Sequence, residues 1–109
     1  MPETTTDLYR MGSASSPRMD HVRVSKDIAP FEKEGVVWVA VRSGGVSTFS
    51  TQGFGRNWWQ LPQGYTYPDA LCVVNDHGNH YSWEPRVAMS LADYVALLAA
   101  VNPHFVKVS

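Results

Sequence analysis

The apolar residues of this chain come in short runs, separated by glycine, proline, asparagine and aspartate. Short runs rich in β-branched and aromatic side chains are typical of strands rather than of helices. We predict about six strands, at residues 7–11, 36–41, 46–50, 58–61, 71–74 and 80–83, with shorter extended segments at 22–24 and 105–108. Residues 1–6 are expected to form a frayed terminus.

Two predicted turns determine how the strands connect. Residues 36–41 are apolar throughout, which predicts a central strand that is covered on both faces. Residues 43–45 read Ser-Gly-Gly and predict a tight turn, after which residues 46–50 return as a partner strand. Residues 75–79 predict a second hairpin turn, and Pro85 is expected to end that pairing or to lie at an edge.

One helix is predicted near the end of the chain. Ser90 is a favourable N-cap, and Asp93 resembles the acid of a capping box. An apolar stripe at helical spacing follows, and Asn102-Pro103 should stop the helix; the stripe contains Leu91, Tyr94, Val95, Leu98 and Val101. The sequence therefore predicts one domain over residues 1–109, of α+β class, compact and mainly β with a C-terminal helix.

Composition excludes several classes of function. The net charge is −1 without a lysine or arginine cluster, which argues against nucleic-acid binding. No apolar run approaches the ~20 residues of a membrane span, so no membrane-spanning helix is expected. The first residues lack the basic and apolar regions of a signal peptide, so no signal peptide is expected. Cys72 is the only cysteine, so we expect no intrachain disulfide and an inert, buried thiol.

Three polar sets on or beside the predicted strands supply what a nicotinamide dinucleotide needs. Arg10 could hold phosphate or ribose oxygens, or could be a solvated arginine at an edge. Ser47 and Thr48 point to opposite faces of a strand, so one could face a cleft while the other supports the core, although ordinary strand and turn preferences also explain them. His80 could donate to a ribose hydroxyl and Tyr81 could stack on nicotinamide, or both could belong to the core.

Glu84 is the carboxylate best placed for cleavage of a glycosidic bond. It lies four residues after His80, and even spacing on a strand places both on one face. A fixed carboxylate would stabilise the oxocarbenium charge that develops at the ribose. A surface glutamate before a proline is the more common use of such a residue.

His77 and His80 have a His-x-x-His spacing across the second turn. Zinc would need further ligands, and His21 and His104 are remote in sequence, so no metal site is expected.

Trp58 and Trp59 are adjacent on a predicted strand. One side chain should enter the core and the other should face outward as a platform for a partner or ligand, unless both pack in the core around a bulge.

The order of several short motifs resembles the ADP-ribosyltransferase-like toxins that bacterial type VI secretion systems export, the Tse-two-like family. The resemblance covers about residues 8–98, and it rests on Leu8-Tyr9-Arg10, Gly44-Gly45-x-Ser47-Thr48-Phe49, Leu61-Pro62-x-Gly64-Tyr65-x-x-Pro68, Asn79-His80-Tyr81-Ser82-x-x-Pro85 and Met89-Ser90-Leu91-x-x-Tyr94.

The resemblance implies an ADP-ribosyltransferase-like core and NAD as the substrate. It also implies a cognate immunity protein, residence in the producer's cytoplasm and toxicity in the cytoplasm of a target cell. By motif, it assigns catalysis to Arg10, the Ser47-Thr48 pair and His80, and NAD contacts to Arg10, Ser47 and Tyr81. The family pattern does not supply Glu84, whose catalytic assignment rests on its position alone.

Two other functions remain open from the sequence. One is an NAD glycohydrolase or phosphorylase resembling RES-domain toxins, which also present arginine and serine beside a cleft. The other is a non-catalytic module that binds a protein through exposed tryptophan and tyrosine side chains.

Overall fold

The computed structural model describes residues 2–24, 26–41 and 44–109. Within these ranges the chain forms nine strands, one α-helix and one 3-10 helix at Asn102–His104. The elements are β1 (Leu8–Met11), β2 (Pro30–Lys33), β3 (Val36–Val39), β4 (Val46–Phe49), β5 (Trp58–Leu61), β6 (Leu71–His77), β7 (His80–Pro85), β8 (Met89–Ser90), α1 (Leu91–Ala99) and β9 (Val106–Lys107). The predicted α+β class, mainly β with a C-terminal helix, is confirmed.

The strands form two antiparallel sheets that share one core. The large sheet has the order β6-β7-β4-β1-β5-β9, and the small sheet has the order β2-β3-β8. One buried cluster joins both sheets to α1; it includes Leu8, Val39, Val46, Leu61, Leu71, Trp83, Met89, Tyr94, Leu98 and Val101. No helix within the described ranges is long and apolar enough to cross a membrane.

The helix begins where the sequence predicts. The Ser90 hydroxyl accepts a hydrogen bond from the Asp93 amide at 3.1 Å, which satisfies one of the first-turn donors. Tyr94 and Leu98 of the apolar stripe are fully buried. Residues 106–107 form the last strand and Cys72 is buried, both as expected.

The prediction of a doubly covered strand at residues 36–41 is wrong. β3 is the middle strand of the small sheet, but Val36 and Val41 are 45% and 49% exposed, and only Val39 is fully buried. The small sheet packs one end of its middle strand into the core and leaves apolar side chains elsewhere in contact with solvent. Apolar composition alone does not report how many faces of a strand are covered.

The predicted hairpin at residues 43–45 is also wrong. Ser43 lies outside the described residues, and β3 and β4 belong to different sheets. The glycines serve close backbone approach: a Cβ at Gly45 would lie 2.0 Å from the Trp83 carbonyl oxygen, and one at Gly44 would lie 2.5 Å from that of Asp27. β4 therefore pairs with β1 and β7.

Residues 2–4 are not a frayed terminus. Thr4 is buried, its amide donates to the Tyr65 carbonyl at 2.9 Å, and its carbonyl accepts from Gly64 at 2.9 Å. The extended segment predicted at residues 22–24 forms only an isolated bridge between Val24 and Ile28. Backbone pairing with residues distant in sequence orders the N-terminal segment, and local composition does not reveal such pairing.

The one-sided burial of β3 predicts an asymmetric response to charge. Val39→Asp should lower the free energy of unfolding by several kcal/mol, because the carboxylate would lose its water without gaining a partner. Val36→Asp should cost at most about 1 kcal/mol, because Val36 is exposed and lies opposite Lys33. Urea denaturation followed by tryptophan fluorescence measures both, and equal losses would contradict the assignment.

Candidate active site

A polar cleft lies on one face of the large sheet, where β4 and β7 pair. Ser47 lies opposite Ser82 and Phe49 lies opposite His80, so these side chains share a face. The cleft encloses about 300 Å³ and is lined by Arg23, Lys26, Asp27, Gly44, Gly45, Ser47, Asp76, His80, Ser82 and Glu84. A second lobe of about 340 Å³ shares Arg23, Asp27 and Ser47 with it and adds Arg10, Met11, His21 and Phe49.

A hydrogen-bonded chain of three side chains crosses the cleft. His80 Nδ1 lies 2.5 Å from Asp76 Oδ1, and His80 Nε2 lies 2.8 Å from Ser47 Oγ. The hydrogen bond from His80 lowers the pKa of Asp76, so the carboxylate is ionised and accepts. Nδ1 therefore carries the proton, and in the neutral ring Nε2 accepts the Ser47 hydroxyl proton. The arrangement orients one imidazole nitrogen as a base toward the cleft.

A β-bulge supplies the aspartate of this chain. Asn75 pairs with Tyr81 and His77 pairs with His80, so Asp76 is the extra residue between them. A bulge re-aims a side chain that strict alternation would direct elsewhere. Asp76 is not among the predicted site residues, because the sequence predicts a turn at residues 75–79, whereas β6 continues to His77.

Arg10 binds backbone carbonyls rather than an acid. Its Nη1 donates to the Ser47 carbonyl at 2.7 Å, its Nε to that of Pro17 at 2.9 Å and its Nη2 to that of Arg18 at 3.0 Å. Burial lowers the pKa of Arg10 to about 10, which leaves the guanidinium charged at neutral pH. Arg10 therefore holds β4 against the segment that covers the cleft and places a positive charge in the cleft wall.

The covering segment comprises residues 17–24 and 26–28. Asp27 Oδ2 accepts from the Arg23 amide at 2.8 Å, and Asp27 Oδ1 forms an ion pair with Arg23 Nη2 at 3.0 Å. Asn102 fastens the segment to the C-terminal region, because its Oδ1 accepts from the Met19 amide at 2.9 Å. The predicted site residues do not include Arg23, Lys26 or Asp27, since no local motif indicates what the segment covers.

Glu84 is buried in the cleft rather than exposed at the surface. Its exposed fraction is 7%, and β7 continues to Pro85, so Glu84 shares a face with His80 as the spacing predicts. Among the described residues, no side chain donates a hydrogen bond or forms an ion pair to its carboxylate. An oxygen of Glu84 that lacks a partner is therefore not sealed from solvent, and Glu84 lines the cleft. Glu84 is therefore available to a ligand.

Thr48 lies on the opposite face of β4 from Ser47. Its hydroxyl donates to the Tyr81 carbonyl at 3.0 Å and accepts from the Trp83 indole at 3.0 Å, so both functions are occupied inside the core. The structure therefore brings Ser47 to the cleft and does not bring Thr48 there.

Tyr81 also lies away from His80. Its ring packs against the core and lines a separate small cavity with Thr4, Leu8 and Tyr67. The aromatic side chain that does reach the cleft is Phe49, which packs edge-on against His80 at a centroid distance of 5.5 Å. Phe49 lies two residues after Ser47 on β4, so strand alternation alone places both side chains on the same face.

The adjacent tryptophans hold loops. Trp58 is buried, and its indole donates to the Phe54 carbonyl at 2.9 Å. Trp59 packs against the core, and its indole donates to the Ser13 carbonyl at 3.0 Å. Neither side chain stands free as a platform.

Comparison with known proteins shows the family to which this chain belongs. A family model described as Tse2 ADP-ribosyltransferase toxin matches residues 6–107, nearly the whole chain. The chain belongs to this family. No curated protein and no solved structure is significantly similar to it. Membership in the Tse2 family confirms the resemblance in the sequence and supports a toxin with ADP-ribosyltransferase-like activity.

The role of the buried Thr48 hydroxyl in the core can be tested by mutation. Because neighbouring residues on a strand face opposite sides, this role also determines that Ser47 faces the cleft. Thr48→Val should lower the free energy of unfolding by about 1–3 kcal/mol, because the buried Trp83 N–H would lose its acceptor. Thr48→Ser keeps the hydroxyl and should cost less. Chemical denaturation of the two variants measures their free energies of unfolding. A Thr48→Val variant as stable as the wild type would contradict the role of the Thr48 hydroxyl in the core.

Proposed function

We propose that this protein is an antibacterial toxin that uses NAD as its substrate and transfers ADP-ribose from it to an acceptor. The observation that carries the proposal is the cleft itself: the Asp76–His80–Ser47 chain lines it together with the Glu84 carboxylate, which has no partner among the described residues. Family membership supports the reaction class. ADP-ribosyl transfer needs groups that stabilise positive charge at the ribose and that remove a proton from the acceptor.

In this reaction the bond between nicotinamide and ribose C1′ breaks, and its electron pair leaves with nicotinamide. The ribose then carries oxocarbenium charge, which a fixed carboxylate stabilises in a site with little water. Glu84 fits this role because it is buried, opens to the cleft and has no partner of its own among the described residues. Ser47 Oγ, held by His80, would orient a ribose hydroxyl.

The attacking group must lose a proton as it bonds to C1′. His80 Nε2 is a suitable base, since Asp76 holds the proton on Nδ1 and stabilises the imidazolium that forms. Attack by a macromolecular side chain gives ADP-ribosylation, whereas attack by water gives NAD hydrolysis. The acceptor therefore distinguishes the transferase from the glycohydrolase alternative.

Three positive side chains line the two lobes of the cleft. Arg10 lines the adjoining lobe, while Arg23 and Lys26 lie on the covering segment. Three donors of Arg10 are already bound to carbonyls, so its contribution to a pyrophosphate is chiefly its charge. Phe49 takes the place proposed for Tyr81 as an aromatic surface near the nicotinamide.

The biological setting completes the proposal. The toxin is delivered by type VI secretion into the cytoplasm of a target cell, where NAD is available, and a cognate immunity protein neutralises it in the producer. The family match supports the toxin, and the delivery route and immunity protein are part of what we propose.

Purified variants test the chemistry. Glu84→Gln keeps the shape and removes the charge, so it should lower nicotinamide release from NAD by about 100- to 1,000-fold. His80→Gln and Asp76→Asn should each lower it by at least about 100-fold through loss of the base or of its orientation. Asp93→Asn, an exposed acid at the helix start, should retain full activity.

Expression of the wild type beside these variants in a bacterial cytoplasm separates the alternatives. Modified macromolecules without loss of the NAD pool indicate the transferase, and NAD depletion indicates a hydrolase or phosphorylase. Wild-type toxicity in Glu84→Gln and His80→Gln, with unchanged circular dichroism, would reject the cleft as the active site and favour a binding module.

A further inference from the structure

Two histidines and an aspartate converge at the tip of the β6–β7 hairpin. Asp76 Oδ1 lies 2.5 Å from His80 Nδ1 and 3.0 Å from His77 Nδ1. The two imidazole rings stack with a centroid distance of 4.9 Å and an interplanar angle of 19°. The possible ligand atoms of the three residues all lie within 4.8 Å of one another. Two ring nitrogens thus point at one carboxylate oxygen.

The hairpin holds this arrangement in place. Asn75 Nδ2 donates to the carbonyls of Gly78 and His80, each at 3.0 Å, and so closes the turn between the two strands. The bulge places Asp76 beside the His77–His80 pair of opposed residues. Backbone pairing therefore brings the three side chains together, and no ligand is needed to assemble them.

We propose that Asp76, His77 and His80 form a binding site for a divalent transition-metal ion, for which zinc is the best match. Zinc binds imidazole nitrogen and carboxylate oxygen at about 2.0–2.2 Å in tetrahedral geometry, which sets neighbouring ligand atoms roughly 3.3 Å apart. The two contacts to Asp76 Oδ1, at 2.5 and 3.0 Å, would widen slightly to reach that spacing, and all three ligand atoms already lie within 4.8 Å of one another. Two nitrogen donors disfavour magnesium and calcium, which prefer oxygen. The exposed side chain of His77 leaves room for water as the fourth ligand.

The structure adds a third ligand to the two histidines. His77 and His80 alone predict no metal site, and the distant histidines do not join them; the bulge contributes Asp76 instead. Three ligands with an open position are also the pattern of zinc sites that retain water.

Metal binding would change the hydrogen bonding of the cleft, and this consequence rests on the proposed function. A metal on His80 Nδ1 replaces the proton there, so Nε2 must carry the proton of the neutral ring. Nε2 would then donate to Ser47 instead of accepting from it, and His80 would no longer serve as the base. Zinc bound at this site would therefore lower the NAD turnover of the toxin.

Titration calorimetry of zinc chloride into the untagged full chain tests the site at neutral pH. We expect one zinc ion per chain, with affinity at least about tenfold weaker in His77→Ala, since even the loss of an outer-shell partner costs tenfold or more. His77 is 77% exposed in its side chain, so its removal leaves the fold intact. His104→Ala, which removes an exposed histidine elsewhere, should bind as the wild type does.

The outcomes separate the metal site from the proposed function. Equal zinc affinity in the wild type and His77→Ala, or no binding in the wild type, would overturn the site. If NAD turnover is present, zinc should suppress it in the wild type, while His77→Ala should keep its turnover in the presence of zinc. Turnover that zinc suppresses equally in both would overturn the coupling, and absent turnover would reject the proposed function while the calorimetry still decides the site.

Discussion

The pairing of β4 with β7 is the constraint on which the cleft depends, because a slip of one residue would exchange the two faces of a strand. The buried face fixes this register. Thr48 bonds the backbone and indole of β7, and the Tyr94 hydroxyl donates to the Trp83 carbonyl at 2.6 Å and accepts from the Val46 amide at 3.3 Å. Burial raises the pKa of Tyr94, so its hydroxyl remains a donor. The core thus aims Ser47 at the opposite face.

Three features that depart from the regular strand pairing also position the residues of the cleft. The bulge in β6 turns Asp76 toward His80, and Gly45 allows the chain to pass against the Trp83 carbonyl before β4 starts. Arg10 joins β4 to the covering segment where β1 and β4 share only one paired position. These three features lie beside the cleft, as is common where a scaffold positions functional groups.

The sequence predicted the parts of the site that depend on local periodicity. Even spacing on one strand correctly placed His80 and Glu84 on one face, and Ser90 correctly marked the helix start. Asp76 could not be predicted, because a bulge is invisible to alternation. The carbonyl partners of Arg10 could not be predicted either, since they follow from tertiary packing. The same limit explains β3, whose apolar residues do not report which of its faces the rest of the chain covers.

The most direct test of the cleft as the NAD site is a crystal structure of the chain with a non-hydrolysable NAD analogue. We predict that the nicotinamide ribose lies on the β4–β7 face, with Ser47 Oγ within hydrogen-bond distance of a ribose hydroxyl and the Glu84 carboxylate beside C1′. An analogue bound on the opposite face, beside Tyr81, or an empty cleft at a saturating concentration of the analogue, would contradict it.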